Sequence, residues 1–259
     1  MLYKTQLQLS FTLKSNVMKR KFFRINLKLV LLFLMGIWLS SCKTVYYPTT
    51  HNSPMLNNKG EFQASGIIGT GNFELQTAYA ITDNIGVMLN GSYFNGTREI
   101  EINNEKTEIK EMHNLIEAGA GYFTNFGKLG KLEVFAGGGV GKVPANFRGI
   151  VYYDGTQTSD MTKLFIQPSI GLGSDFVDFS GGVRISAVNV SRAMRLFAEP
   201  ELTIKLGYKH VRLVASIGLA LPMNNINNSR NDELLSWDYN PVIIGLGIQL
   251  NLGRKYEKH

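Results

Sequence analysis

Ala198-Glu199-Pro200-Glu201-Leu202-Thr203-Ile204-Lys205-Leu206 alternates apolar and polar residues without a break. Neighbouring side chains of a strand point to opposite faces. Ala198, Pro200, Leu202, Ile204 and Leu206 therefore share one face, and Glu199, Glu201, Thr203 and Lys205 the other. Which of these faces meets water decides the fold.

The same period of two runs through most of the chain after residue 60. Further strands are read at about Glu61–Gly69, Phe73–Ile81, from Ile85, Asn114–Phe126, Lys131–Lys142, Lys163–Gly173, from Phe179, Val211–Leu221 and Val242–Leu252. With the opening stretch these make ten segments of about ten residues, the length expected of a strand that crosses a bilayer. Short turns at 82–84, 127–130, 175–178 and 208–210 alternate with longer connections at 95–111, 143–162, 189–194 and 223–240. Short inner turns and long outer loops are the rule for outer-membrane barrels. The 95–111 connection contains an alternating arm with an Asn103-Asn104 turn and the acidic residues Glu99, Glu101, Glu105, Glu108 and Glu111. Pro168 and Pro200 cannot donate to a ladder, so each predicts a weakened strand or a bulge.

The polar alternate face carries Glu74, Glu117, Glu133, Arg184, Glu199, Glu201, Lys205 and Arg212, interleaved with glycines. Inside a small barrel such residues must pair, because an unpaired buried charge is costly. The expectation is an all-β chain: an antiparallel up-and-down transmembrane β-barrel of about ten strands, with eight as the alternative. Its interior is packed and salt-bridged, and its apolar faces meet lipid. A water-soluble barrel with the faces reversed is the competing reading.

Everything before Cys42 reads as an address. Lys19-Arg20-Lys21-Phe22-Phe23-Arg24 is basic, Leu29–Leu39 is an apolar run of 11 residues, and Ser40-Ser41 precede the only cysteine. Charged, apolar and small regions in that order make a cleaved signal peptide, and the apolar run is well short of the ~20 residues of a spanning helix. Met18 is an alternative natural start. The expected division is signal peptide 1–41, tether 42–59, barrel 60–253 and tail 254–259. The tether is predicted as a polar linker with Pro48 and Pro54.

The signal accounts for the charge. Of 27 basic residues, seven (Lys4, Lys14, Lys19, Arg20, Lys21, Arg24, Lys28) precede Cys42 and no acidic residue does. The mature chain then has 20 basic and 20 acidic residues. Its formal net charge is zero, which is no footprint for nucleic acid.

Leu39-Ser40-Ser41-Cys42 resembles the lipobox of bacterial lipoproteins. The resemblance implies signal-peptidase recognition at Leu39, Ser40 and Ser41, and lipidation (palmitate among the acyl groups) of Cys42 as the mature N-terminus. Lys43 follows in place of Asp, so the family's sorting rule implies the outer membrane of a Gram-negative cell, with the anchor on its periplasmic side. Gly247-Ile248-Gln249-Leu250-Asn251-Leu252 resembles the assembly signal of outer-membrane proteins, with Leu252 where an aromatic is usual. At the level of pattern, 60–252 resembles the small OmpA/OmpX/OmpW-like barrels. Implied partners are outer-membrane lipid and the barrel-assembly and lipoprotein-sorting machineries, and the chain is expected to be a monomer.

Chemistry is sparse. His51, His113, His210 and His259 have no metal-ligand spacing and no second cysteine to join. The glycine run 137–139 lacks the following Lys-Ser/Thr of a phosphate loop. No metal and no cofactor beyond the covalent lipid is expected. The leading expectation is a non-enzymatic envelope lipoprotein that acts as a scaffold, a surface for interactions or a narrow conduit. Two alternatives stay open: a lipid-anchored soluble barrel that holds an apolar ligand as lipocalins do, and a lipid-modifying barrel enzyme with Glu111 and His113 at its rim.

Overall fold

A computed structural model of the chain describes residues 44–70, 72–102, 105–144, 158–190, 193–223 and 238–255, without side-chain detail at 44, 72, 97–102, 105–111 and 238. The signal peptide with Leu39, Ser40, Ser41 and Cys42 lies outside the described residues, as do most of the two longest loops, residues 256–259 and the five acidic side chains of the 95–111 arm. The strands are β1 (Thr44–Tyr46), β2 (Phe62–Gly69), β3 (Asn72–Ala80), β4 (Ile85–Ile102), β5 (Glu105–Phe126), β6 (Gly130–Pro144) and β7 (Thr158–Gly173). After them come β8 (Val177–Val190), β9 (Ala193–Tyr208), β10 (Val211–Leu219), β11 (Leu221–Pro222), β12 (Asp238–Tyr239) and β13 (Val242–Leu252).

Strands β2 to β9 pair in chain order, each antiparallel to the next. β13 then joins β2 to β10, and the β10–β9 pairing closes the ring. The barrel therefore has ten strands, not eight, and closure leaves no unpaired edge among them. Pro168 and Pro200 interrupt pairing without shifting register. β10 leaves β9 after the Gly218–Glu201 pair, and β11 resumes at Leu221–Ala198 in the same register. The gap lies opposite Pro200, which has no N–H to donate.

Several strands are longer than predicted. β8 runs to Val190 and β9 starts at Ala193, so the connection expected at 189–194 shrinks to two residues. β4 and β5 pair from Ile85–Tyr122 out to Ile102–Glu105, whereas β6 leaves β5 at Asn114. Beyond that point the two strands form a ribbon of their own. It projects about 30 Å at ~3.3 Å per residue, from the same end as the long 145–157 and 224–237 connections.

The faces are now assigned. Leu75, Leu89, Ile116, Leu164, Ile170, Leu202, Leu213, Leu246 and Ile248 all point outward and are exposed. Glu74, Glu117, Glu133, Arg184, Glu199, Glu201, Lys205 and Arg212 all point inward and are at most 4% exposed. Phe62, Tyr79, Tyr122, Phe126, Phe176 and Tyr208 are exposed at strand ends on the short-turn side. Two of them, Phe176 and Tyr208, stack with centroids 5.0 Å apart. An apolar band edged by aromatic residues is the outer surface of a membrane barrel.

The expected free tether is not present. From Val45 to Asn58 nearly every residue is buried, Tyr46 at 0% and Leu56 at 1%. This strap fills the lumen instead of linking to it. Its last residues sit at the short-turn end, where the Asn58 amide donates to Gly253 O at 3.1 Å and the Lys59 N–H to Asp83 Oδ1 at 2.8 Å. Its first residues sit at the long-loop end, where β1 pairs in parallel with β12 and the Asn240 N–H donates to Tyr46 O.

Candidate functional site

The site is the lumen itself: ten strands supply the wall and the strap supplies the contents. Seen along the strap it has layers. At the long-loop end Val45 and Tyr46 pack with Leu115, Val143, Met161, Val188, Val190 and Phe197. Nearer the short-turn end Leu56 packs with Met88, Phe123, Phe135 and Phe165. The packed, salt-bridged interior expected from the sequence also holds apolar stoppers, one on either side of the polar middle. They form because inward positions such as Phe135, Phe165 and Val188 are apolar, and the strap brings Tyr46 and Leu56 to meet them. Small wall residues make the space. A Cβ on Gly137 would stand 2.9 Å from Phe165 Cζ, and one on Gly139 would stand 2.8 Å from Glu117 Cγ.

Between the stoppers the wall grips the strap mainly through its backbone. The His51 N–H donates to both Glu201 carboxylate oxygens, at 3.0 and 3.1 Å. The Thr50 N–H donates to both oxygens of Glu74 at 3.2 and 3.1 Å, and its hydroxyl donates to the same carboxylate. The Met55 N–H donates to Glu133 at 2.9 Å and the Asn57 N–H to Glu61 at 2.7 Å. Tyr46 OH donates to Glu199 at 3.1 Å, and Thr49 Oγ1 to Glu117 at 3.4 Å. Among the described residues seven carboxylates are buried, and six of them take a hydrogen bond from the strap.

The wall cations hold the strap's acceptors. Lys205 Nζ donates to Ser53 O at 2.6 Å, and Lys131 Nζ to Met55 O at 2.7 Å. Gln167 donates to Asn52 O at 2.9 Å. Arg184 is the centre of this set. Its Nε donates to Gln167 Oε1 at 3.0 Å, Nη1 to Thr49 Oγ1 at 3.1 Å and Nη2 to Thr50 O at 3.2 Å, and its guanidinium lies over the Phe165 ring. Lys163 pairs with Glu117 at 3.0 Å beside it. Met55 turns the strap with φ of 51°, in the left-handed region that a side chain occupies at a cost. The bonds from both of its backbone groups to Glu133 and Lys131 hold it there.

At the short-turn mouth the seventh carboxylate, Asp178, is clamped by two guanidinium groups. Arg212 Nη1 lies 2.5 Å and Arg254 Nη1 2.8 Å from its Oδ2.

All eight predicted lumen residues share this interior, seven of them on or beside the strap and Arg212 at the mouth. The sequence reading did not single out Lys131, Lys163, Asp178 or Arg254, which lie at or beyond the ends of the strands read from the sequence, nor His51 on the strap. His113 lies at the root of the ribbon, buried at 0% exposure, its ring 5.9 Å from that of Tyr47. The ring is covered at that end of the barrel, and the Glu111 side chain lies outside the described detail. The lipocalin-like alternative is corrected too: the apolar alternate faces point outward, so the lumen is no cavity for an apolar ligand. No group of three or more metal-ligating side chains stands together among the described residues.

No protein-family model matches the chain, and no curated protein matches it. Among solved structures the chain is similar to the N-terminal β-barrel domain of Pseudomonas aeruginosa OprF, at 14% identity and a TM-score of 0.34 over 76% of this chain and 98% of that one.

Proposed function

We propose that this chain is an outer-membrane β-barrel lipoprotein without enzymatic activity, acylated at Cys42 after cleavage behind Leu39-Ser40-Ser41. Its role is structural and interactive. The barrel is a closed scaffold, and the ribbon and long loops at one end are the surface offered to partners. The single observation that carries this reading is the arrangement of the faces: buried charges gripping a strap inside, and a continuous apolar band with aromatic edges outside. In water such a surface would drive association, because large exposed apolar patches do not stay free. In a bilayer it is the stable arrangement. The strap supports closure at rest, since it occupies the space an aqueous channel would need. The barrel-assembly and lipoprotein-sorting machineries are the implied partners during biogenesis. No cofactor beyond the lipid belongs to the proposal.

Cell fractionation with gel mobility before and after boiling tests it. The expected result is a heat-modifiable band in the outer membrane, with an acylated Cys42 in its N-terminal peptide by mass spectrometry. A band that is not heat-modifiable, and that Cys42→Ala releases into the periplasm, would show a tethered soluble barrel instead.

A further inference from the structure

The strap has a direction. Asn58 lies at the short-turn end beside Gly253, and Thr44 pairs with Asp238 in the connection between β11 and β13 at the long-loop end. The order of contacts between them is monotonic. Met55 meets Glu133, Ser53 meets Ser169, His51 meets Glu201, Thr49 meets Glu117 and Tyr46 meets Glu199. Short turns mark the periplasmic side of an outer-membrane barrel and long loops the outside.

We infer that the chain crosses the outer membrane once through its own lumen before the first barrel strand, so that its mature N-terminus emerges on the cell's outer face. The inference rests on the membrane-barrel reading above. The lengths agree: the 14 steps from Thr44 to Asn58 reach about 46 Å when extended, against an apolar band about 25 Å tall. From Thr44 the two residues back to Cys42 reach about 7 Å at most, far too little to return through the lumen. A lipid on Cys42 would then enter the outer leaflet, opposite to the periplasmic side implied by the sorting rule. The barrel would be pinned from outside by its own threaded terminus. The wall chemistry fits a permanent thread. Glu74, Glu133 and Glu201 bind backbone N–H groups, and Lys131, Lys205 and Arg184 bind backbone carbonyls, which are features of any extended chain held in a fixed path.

The test uses the full chain with Lys43→Cys, probed on intact cells with a membrane-impermeant maleimide, while mass spectrometry reads acylation of Cys42 in the same sample. The expected result is labelling of intact cells equal to that after permeabilisation. Labelling that appears only after the outer membrane is opened overturns the inference, even with Cys42 acylated and the barrel heat-modifiable. Full labelling of intact cells without acylation leaves the threading standing and removes the lipid from the proposed function. If Lys43→Cys does not give a heat-modifiable barrel, the pair Ser53→Cys with Ser169→Cys decides. The two hydroxyl oxygens are 3.4 Å apart, so near-complete disulfide formation is expected, and a folded barrel with no cross-link refutes the threaded strap.

Discussion

Replacing Arg184 with methionine keeps most of the side-chain length and removes the charge. The guanidinium is 1% exposed and makes three hydrogen bonds, two to the strap and one to Gln167, besides facing Glu117 at 4.0 Å. Hydrogen bonds that involve a charged group contribute about 1.5–3 kcal/mol each, so three give a ceiling of roughly 5–9 kcal/mol. Water drawn into the vacated space offsets part of this. Removing one member of a buried ion pair typically costs about 3–5 kcal/mol. Arg184→Met should therefore destabilise the barrel by about 4 kcal/mol, and a urea slope of about 2 kcal/mol per molar would lower the midpoint by about 2 M. Arg184→Lys keeps the charge but lacks the planar fork that serves three acceptors at once, so about half of that loss is expected. The assay is reversible urea unfolding in lipid vesicles, followed by tryptophan fluorescence and gel mobility. An Arg184→Met midpoint equal to that of the parent would refute the account of the lumen as a set of charges that hold the strap.

Leu202 lies near the middle of the outward stripe of β9 and is 51% exposed, whereas Val211 opens β10 at the short-turn rim. Leu202→Arg should cost about 2–4 kcal/mol of folding free energy in vesicles and Val211→Arg about 0–1. Equal small effects in the same unfolding assay would speak for a water-facing surface. Asp178→Asn leaves the guanidinium groups of Arg212 and Arg254 without their shared anion, a loss of about 3–5 kcal/mol. Adding Arg254→Met should recover part of it in a double-mutant cycle, and strict additivity would count against the clamp. Deleting residues 45–57 removes the strap, so the closed barrel should become ion-conducting in planar bilayers. A deletion that still gives a heat-modifiable band but conducts no more than the parent would show that the wall closes the lumen unaided.

The barrel was legible because period-two alternation is a local signal. Val242–Leu252 and Ala198–Leu206 state their faces residue by residue, and a closed sheet needs little more than ten such statements and short turns. The eight charged residues singled out within the strands read from the sequence, Glu74 to Arg212, are inward in the structure for the same reason. Residues at or beyond the ends of the strands read from the sequence escaped. Asp178 was read as the end of a turn and Arg254 as tail, yet pairing reaches Asp178–Lys205 and the chain turns inward after Leu252. The strap was illegible for a different reason. A polar stretch with Pro48 and Pro54 looks the same whether water or a barrel wall satisfies its backbone. The signal that could have found it is an imbalance of charge: five acids but only three bases are assigned to the lumen, and buried polar groups need partners. The partners are the N–H groups of the segment that looked like a linker. Cys42 and its neighbours remain a statement of the sequence, since they lie outside the described residues.

The most direct test of the spanning barrel is the fluorescence of Leu202→Trp in vesicles whose acyl chains are brominated near the bilayer centre, read against the parent chain, both without the signal segment and its Trp38 so that the parent has Trp237 alone. The account predicts strong added quenching for Leu202→Trp, which places the outward face of β9 in hydrocarbon. Emission at the new tryptophan that ignores the bromine, from protein that carbonate washes off the vesicles, would contradict it.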